Sequence, residues 1–313
     1  MHCIFLDTVT PPLQALLCQE APQEIDLIFW SKLEEADKAA ALAKVELILA
    51  ATYIVSDELM CRAPKLKFIQ KLGVGMDNID CQAAAKRGIG VANVPGGNAN
   101  SVAELTIGLI LDLYRKISIL NRDLKAGIWS TWTYRDCSYE IKGKTHGIIG
   151  FGNIGQRVAQ LSNAFGASVF YYNRTPKSSE IEKECNATYM ELDELLQCSD
   201  IVSVHLPLNA ETKNLIDDAK IALMKRNAIL INVGRGNVVN EEALYAALAA
   251  GRISGAGIDV WANEPLKDDN PLLALDNVIA IPHVGGGTVD AVSNIFRLAF
   301  QNVRRILLTE SKP

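Results

Sequence analysis

Three loops each end an apolar run with a side chain suited to chemistry on a small acid. "INVGRGNVVN" puts Arg235 between two glycines just past the run 229–233. "IDVWANEP" puts Glu264 after a run that ends near Trp261, with Pro265 fixing the chain beyond it, and "IPHVGGG" puts His283 at the end of the run 278–282. Singly these read as a surface arginine, a solvated glutamate and a hydrogen-bonded loop histidine. A cation, a carboxylate and an imidazole at one edge of one sheet instead suit the reduction of a 2-keto acid. Hydride arriving at the keto carbon builds negative charge on the carbonyl oxygen. An imidazolium can protonate that oxygen, because the ordinary histidine pKa of about 6.5 lies near working pH. A carboxylate beside an imidazole favours the charged ring and fixes its orientation. A guanidinium grips a substrate carboxylate through a planar, charge-assisted fork. The other histidines compete less well. His2 is terminal, His146 lies inside a strand run and reads as packed, and His205, in "SVHLPL", ranks second, beside a cofactor.

The hydride source is implied by "THGIIGFGNIGQRVAQ", residues 145–160, where Gly150, Gly152 and Gly155 follow an apolar run and open a helical pattern. In a strand–turn–helix the first glycine makes the tight turn, the second admits a pyrophosphate, and the third lets the helix pack on the strand. The helix start, with Asn153 and Ile154, offers N–H groups and a positive dipole end to the phosphates. About 20 residues on, an NAD site places a carboxylate for the ribose hydroxyls. "VFYYNRTPKSS" offers Asn173, Arg174 and Thr175 there instead, followed by Lys177. A carboxylate would repel a 2′-phosphate, whereas these residues accommodate one, so NADP(H) is the favoured cofactor and NAD(H) the second option.

The elements that must position these residues are short β-rich runs alternating with helical patterns, the signature of parallel βαβ sheets. "CIFLD", "IDLIFW", "VELILA", "KFIQKLG" and "GIGVANV" give five strands before residue 95, nearly continuous in apolar character, as suits strands buried on both faces. "NVPGGNANS" breaks the pattern and a single long helix is predicted over 101–126, with Ser101 and Glu104 as a capping box. The second set starts at the glycine triplet and continues through "SVFYYN", "IVSVHLP", "AILINVG", "GAGIDVW" and "VIAIPH", before a last amphipathic helix over 289–308. The expected fold is α/β with two doubly wound parallel sheets. A Rossmann dinucleotide-binding domain (100–284) is inserted in a flavodoxin-like substrate-binding domain (1–99), to which the C-terminal helix (285–313) returns. Ligands of such sheets sit beyond the carboxyl ends of the strands.

Bulk properties agree with a soluble enzyme. The 313 residues leave room for two domains, and 49% hydrophobic with 21% charged residues is ordinary for a globular chain. A net charge of −5 provides no basic field for nucleic acid or an anionic membrane. No apolar run approaches the roughly 20 residues that span a bilayer, and "MHCIFLDTV" reads as a first strand rather than a signal. The 7 scattered cysteines contain no C-x-x-C pair, which predicts reduced thiols in a cytoplasmic compartment and no metal site.

The segments "GVGMDNID", "NSVAELTIGLIL", "IKGKTHGIIGFGNIG", "HLPLNAETKNLI", "INVGRGNVVNEEAL", "GAGIDVWANEP" and "IPHVGGGT" together resemble the D-isomer-specific 2-hydroxyacid dehydrogenase family over essentially the whole chain. The resemblance implies that Arg235 binds substrate, that His283 is the acid/base and that Glu264 supports it. It also makes the loop 73–75, through Val74 and Gly75, a backbone clamp on the substrate carboxylate. Leu206, Val233, Asp259 and Gly286 match positions that line the cofactor, with His205, Pro207, Gly234 and His283 beside them in the same segments. Phosphoglycerate dehydrogenases of the family carry a basic residue after the third strand, and "LILAATYIVSDEL" has none. No regulatory domain is expected after the last helix, so a small unphosphorylated 2-keto acid is the expected substrate. "GIWSTWTY" is similar to the glyoxylate/hydroxypyruvate reductase branch, where an aromatic side chain can reach the partner subunit's cleft. Trp132 is the candidate within an expected homodimer, and a tryptophan packed in the dimer contact is the alternative. The rival readings are a dehydrogenase for another small 2-hydroxy acid (D-lactate, a branched acid or phosphoglycerate) and a non-catalytic NAD(P)-sensing protein on the same fold.

Overall fold

The computed structural model describes residues 1–308. The chain divides into two compact units, Met1–Asn98 together with the segment from Thr288 onward, and Ala99–Gly287. In the first unit, strands β1 (His2–Phe5), β2 (Asp26–Phe29), β3 (Leu47–Ala50), β4 (Phe68–Lys71) and β5 (Gly90–Ala92) form a parallel sheet in the order β2-β1-β3-β4-β5. This 2-1-3-4-5 order is the flavodoxin-like winding. Every residue of β3 and β4 is buried, because both faces of the sheet are covered. Ile4, Ile48 and Ile69 pack on one side with Leu59 and Ala84. Cys3, Phe5, Leu47 and Leu49 pack on the other with Leu17 and with Phe296, Ala299, Phe300 and Val303 of the helix Val289–Val303. Burying one such large side chain contributes about 1.5–3 kcal/mol, which explains why this helix docks on a sheet almost 200 residues upstream in sequence. The helix ends at Val303, and one π-helical turn, Arg304–Leu308, completes the element expected to run to 308.

The second unit carries β6 (Thr145–Ile149), β7 (Ser168–Tyr172), β8 (Ala187–Tyr189), β9 (Ile201–Val204), β10 (Ile229–Asn232), β11 (Gly255–Ile258) and β12 (Val278–Ala280). They form a parallel sheet in the order β12-β11-β10-β9-β6-β7-β8, the Rossmann order with one added edge strand. The winding reverses between β6 and β9, which places a ligand crevice beyond the end of β6. The sequence pattern missed β8, whose three residues are too few to show a period.

Two local expectations are corrected. The single helix over 101–126 is two helices, Ala99–Arg115 and Ile117–Lys125, broken at Lys116 with φ +56°. The Asp112 carboxylate accepts from the Ser118 amide at 2.8 Å and satisfies the start of the second helix, in place of the through-running backbone bonds. Ser101 is not a cap but lies inside the first helix, buried, where its hydroxyl donates to the Gly285 carbonyl at 2.6 Å.

His146, within β6, is fully buried, with Nδ1 2.8 Å from Ser162 Oγ and Nε2 2.8 Å from Ser203 Oγ. Burial, with a smaller contribution from His205, pushes its pKa down to about 3. The unfolded ring takes up a proton near pH 6.5, about its ordinary value, while the folded ring stays neutral far below that. Between those values the unfolded chain binds the extra proton. Stability is therefore expected to fall as pH drops below about 6.5, by about 1.4 kcal/mol per pH unit from this ring alone. Urea unfolding at pH 7, 6 and 5 checks this. His146→Gln is expected to be less stable yet to lose about one proton's worth of slope, and an unchanged slope refutes the assignment.

Candidate active site

β10, β11 and β12 are adjacent and parallel, so the loops after them emerge at one edge of the second sheet. Those loops carry Arg235, Glu264 and His283. His283 Nδ1 lies 2.7 Å from Glu264 Oε2, while Glu264 Oε1 accepts from the Trp261 amide at 3.0 Å. With the carboxylate ionised, Nδ1 carries the proton of that bond, and Nε2 is the ring nitrogen through which a proton can be exchanged. Both side chains are more than a third exposed, at 45% and 38%. An ion pair that exposed contributes little to stability, so its consequence is orientation of the ring.

The backbone beneath this pair is braced from several sides. His283 takes φ +52°, a left-handed conformation that costs a non-glycine residue about 1–2 kcal/mol. It is held there by its own amide, which donates to the Asp259 carbonyl at 2.8 Å. The Asp259 carboxylate accepts from the amides of Val284 (2.7 Å) and Gly285 (2.9 Å). Burial raises the Asp259 carboxyl above the usual carboxylate range, and those two amides offset part of the rise. Trp261 Nε1 donates to the Ile281 carbonyl at 3.0 Å, joining the β11 and β12 loops. The Glu264 loop is fixed further by Glu241, which accepts from the Ala262 amide at 2.5 Å, and by Asn237, which donates to the Ala262 carbonyl at 3.0 Å. Gly236 makes this convergence possible, since a Cβ there would lie 1.9 Å from the Trp261 carbonyl carbon. Arg235 is half-buried with extended backbone, φ −144°, and its Nη1 donates to the Gly234 carbonyl at 2.7 Å.

The glycine triplet fits a dinucleotide's pyrophosphate. Gly150 follows β6 at φ +97°, and a Cβ on Gly155 would lie 2.2 Å from the Gly150 carbonyl oxygen, so the helix Asn153–Ala164 packs hard on the turn. A Cβ on Gly152 would meet nothing within 4 Å, and no side chain caps this helix, which leaves room for a phosphate at its start. His205 and Leu206 wall the turn: a Cβ on Gly150 would lie 2.9 Å from the His205 carbonyl carbon and 3.0 Å from Leu206 Cδ2. His205 Nε2 lies 2.8 Å from Ser203 Oγ, and burial pushes this ring too down to about 3, so it is neutral at physiological pH. Leu206 also lies against Gly234, the residue after Val233. Asn173 bridges the glycine turn to the loop after β7, accepting from the Phe151 amide at 3.3 Å and donating to the Thr175 carbonyl at 2.9 Å. Arg174 pairs with Glu211 at 2.8 Å.

The remaining expected residues fall elsewhere. Val74 and Gly75 belong to the first unit, where Asn93 donates to the Val74 carbonyl at 2.7 Å and the Val94 amide to the Gly73 carbonyl at 2.9 Å. Trp132 is 75% exposed, with the Arg135 guanidinium 4.0 Å from its ring centre. Asp259, expected along the cofactor, is almost wholly buried with both carboxylate oxygens on loop amides, and Gly286 follows the loop so held. Among the described residues there is no cluster of side chains suited to a metal ion, and no helix long and apolar enough to cross a membrane. Sequence reading missed Asn237, Glu241 and Glu211, and took Ser101 for a helix cap. Their side chains act on backbone or charges distant in sequence, which no local spacing signals.

Residues 107–285 match the family model described as D-isomer specific 2-hydroxyacid dehydrogenase, NAD binding domain. A glyoxylate reductase of Thermococcus litoralis is 40% identical over 289 residues, covering 90% of this chain and 86% of the relative. A hydroxypyruvate reductase of Thermotoga maritima is 39% identical over 263 residues, covering 83% of this chain and 84% of the relative. Among solved structures, the TT0316 protein of Thermus thermophilus superposes with a TM-score of 0.86 at 32% identity, covering 99% of this chain and 97% of that one.

Proposed function

The chain belongs to the D-isomer specific 2-hydroxyacid dehydrogenase family, and on that premise we propose that it reduces a small unphosphorylated 2-keto acid, glyoxylate or hydroxypyruvate, at the expense of NAD(P)H. The observation that carries the reading is the His283–Glu264 pair at 2.7 Å, at the strand edge that also bears Arg235. His283 protonates the carbonyl oxygen through Nε2, Glu264 holds the ring by Nδ1, and Arg235 binds the substrate carboxylate. The helix start at Asn153 and the turn Gly150–Gly155 would hold the pyrophosphate, with Ile154, His205, Leu206, Pro207, Val233, Gly234 and Gly286 along the same edge and buried Asp259 bracing the loop after His283. A reduced nicotinamide bound there supplies the hydride.

The finer cofactor reading is a preference for NADP(H), supported by Asn173, Arg174 and Thr175 in place of an acidic residue after β7. A homodimer is supported by Ile117, Leu124, Ile128, Trp129 and Trp132, which are large, apolar and exposed within one stretch of chain. Sedimentation of the wild type and of Trp132→Ala tests that arrangement. A cytoplasmic location accords with seven free thiols.

Glyoxylate, hydroxypyruvate, pyruvate and a phosphorylated hydroxypyruvate, each assayed with NADPH and NADH, test the activity. The highest kcat/KM is expected for glyoxylate or hydroxypyruvate with NADPH. Turnover confined to the phosphorylated acid would transfer the chain to phosphoglycerate chemistry. Nucleotide binding without turnover of any keto acid would make it a sensing protein.

A further inference from the structure

We propose that Glu211 sets the nucleotide preference of this chain by competing with a 2′-phosphate for Arg174. The proposal rests on the reading above, that a dinucleotide lies on the glycine turn with its adenosine ribose at the end of β7. Arg174 Nη1 donates to Glu211 Oε2 at 2.8 Å, and the two side chains are 81% and 67% exposed. So exposed a pair adds little to folding stability and can exchange partners readily.

Both partners nevertheless stand on stiff turns. Asn209 Oδ1 accepts from the amides of Glu211 and Thr212, each at 2.9 Å, and Thr212 Oγ1 accepts from the Asn209 amide at 2.8 Å while donating to the Pro207 carbonyl at 2.7 Å. This Asx-type turn fixes the Glu211 backbone. On the other side, the Asn173 carboxamide ties the Thr175 carbonyl, one residue past Arg174, to the Phe151 amide of the glycine turn. One turn follows β9 and the other follows β7, and these two strands flank β6, whose end is the glycine turn. The pair therefore links the two sides of the crevice at which the winding reverses.

A 2′-phosphate brings close to two negative charges and takes a guanidinium through its planar fork, of which Glu211 now holds Nη1. Binding that takes the Nη1 edge displaces Glu211, and binding on the other edge leaves its carboxylate beside the phosphate; either way a negative charge lies well within a Debye length of the phosphate and opposes it. An unphosphorylated ribose leaves the pair intact. Arg174 pulls the chain toward NADP(H), and Glu211 opposes that pull, holding the two affinities closer together.

The test is calorimetric binding to the intact protein, independent of turnover. NADP⁺ and NAD⁺ are titrated, with adenosine 2′,5′-bisphosphate and AMP as fragment probes, at low salt and at about 0.5 M salt. Glu211→Gln is expected to tighten NADP⁺ and the bisphosphate by about 3- to 10-fold while leaving NAD⁺ and AMP within about twofold, and the gain should shrink at high salt. Arg174→Ala is expected to weaken NADP⁺ and the bisphosphate selectively, by about tenfold. Glu211→Gln should melt within about 2 °C of the wild type, so that misfolding does not account for any change. Wild-type binding of both dinucleotides with no selective gain in Glu211→Gln overturns this proposal alone. A wild-type chain that binds neither dinucleotide overturns the underlying reading, and the proposal with it.

Discussion

His283→Ala is expected to lower kcat by about 100-fold or more, because general acid catalysis by a positioned side chain contributes 10²–10⁴. The substitution removes the ring that Glu264 holds at 2.7 Å but none of the bonds that hold the loop. The His283 amide still reaches the Asp259 carbonyl, and the Asp259 carboxylate still takes the Val284 and Gly285 amides. Alanine must also adopt the left-handed backbone of this position, φ +52°, at a cost of about 1–2 kcal/mol. His283→Asn tolerates that conformation better and controls for the strain. Both variants should bind nucleotide nearly as well as the wild type, since the glycine turn follows β6 and not β12. Glu264→Gln should fall between them and the wild type, because a neutral amide can still accept at Nδ1–H but no longer stabilises a positive ring. Steady-state kinetics with a saturating keto acid, beside calorimetric nucleotide binding, measure both quantities. Turnover within tenfold of the wild type in both His283 variants would remove this residue from the acid's role.

The parts of the fold legible in sequence are those whose signal is local. β3, "LILA", is buried at every position, and a continuous apolar run bounded by polar loops is what such a strand looks like. β4, "FIQK", is buried just as fully, and its two polar residues are held by hydrogen bonds, Gln70 to the Ala92 carbonyl at 3.3 Å and Lys71 to Asn78 Oδ1 at 2.7 Å. The glycine triplet was legible because the steric demand on each glycine falls within one turn of chain. Arg235, Glu264 and His283 were legible because each lies in the loop after a readable strand, so parallel winding brings those loops to one edge. The break at Lys116 was not legible: apolar periodicity runs straight through it, and what ends the helix is the Asp112 carboxylate turning to the Ser118 amide. Ser101 was misread for a related reason. Its spacing from Glu104 is that of a capping box, but its hydroxyl finds a carbonyl 184 residues away, at Gly285. Asp259 sits in a motif that suggests contact with a ligand, and its neighbours in space, rather than in sequence, turn its carboxylate to the amides after His283. The support of the site is therefore made mostly of long-range bonds between side chains and backbone, and spacing carries no record of those.

Arg235→Ala is expected to raise KM for the keto acid by about 10- to 100-fold, the loss of a charge-assisted pair of hydrogen bonds worth about 1.5–3 kcal/mol. A fall in kcat as well would mean that the guanidinium also touches the oxygen on which charge develops, an interaction stronger in the transition state than in the ground state. The backbone at this position is held by more than the side chain's own bond to the Gly234 carbonyl. Asn232 Nδ2 donates to the Arg235 carbonyl at 3.1 Å, the backbone is extended at φ −144°, and Gly236 is locked against the Trp261 carbonyl. The variant should thus fold and keep the His283–Glu264 pair, and its affinity for nucleotide should be nearly unchanged. Arg235→Lys should recover only part of the loss, since an ammonium is a point charge without the planar fork. Free guanidinium added to Arg235→Ala should restore some activity, and added ammonium should restore less. Unchanged KM in the alanine variant would place the substrate carboxylate on another group. A large rise in KM without guanidinium rescue would mean that Arg235 shapes the loop instead of holding the acid.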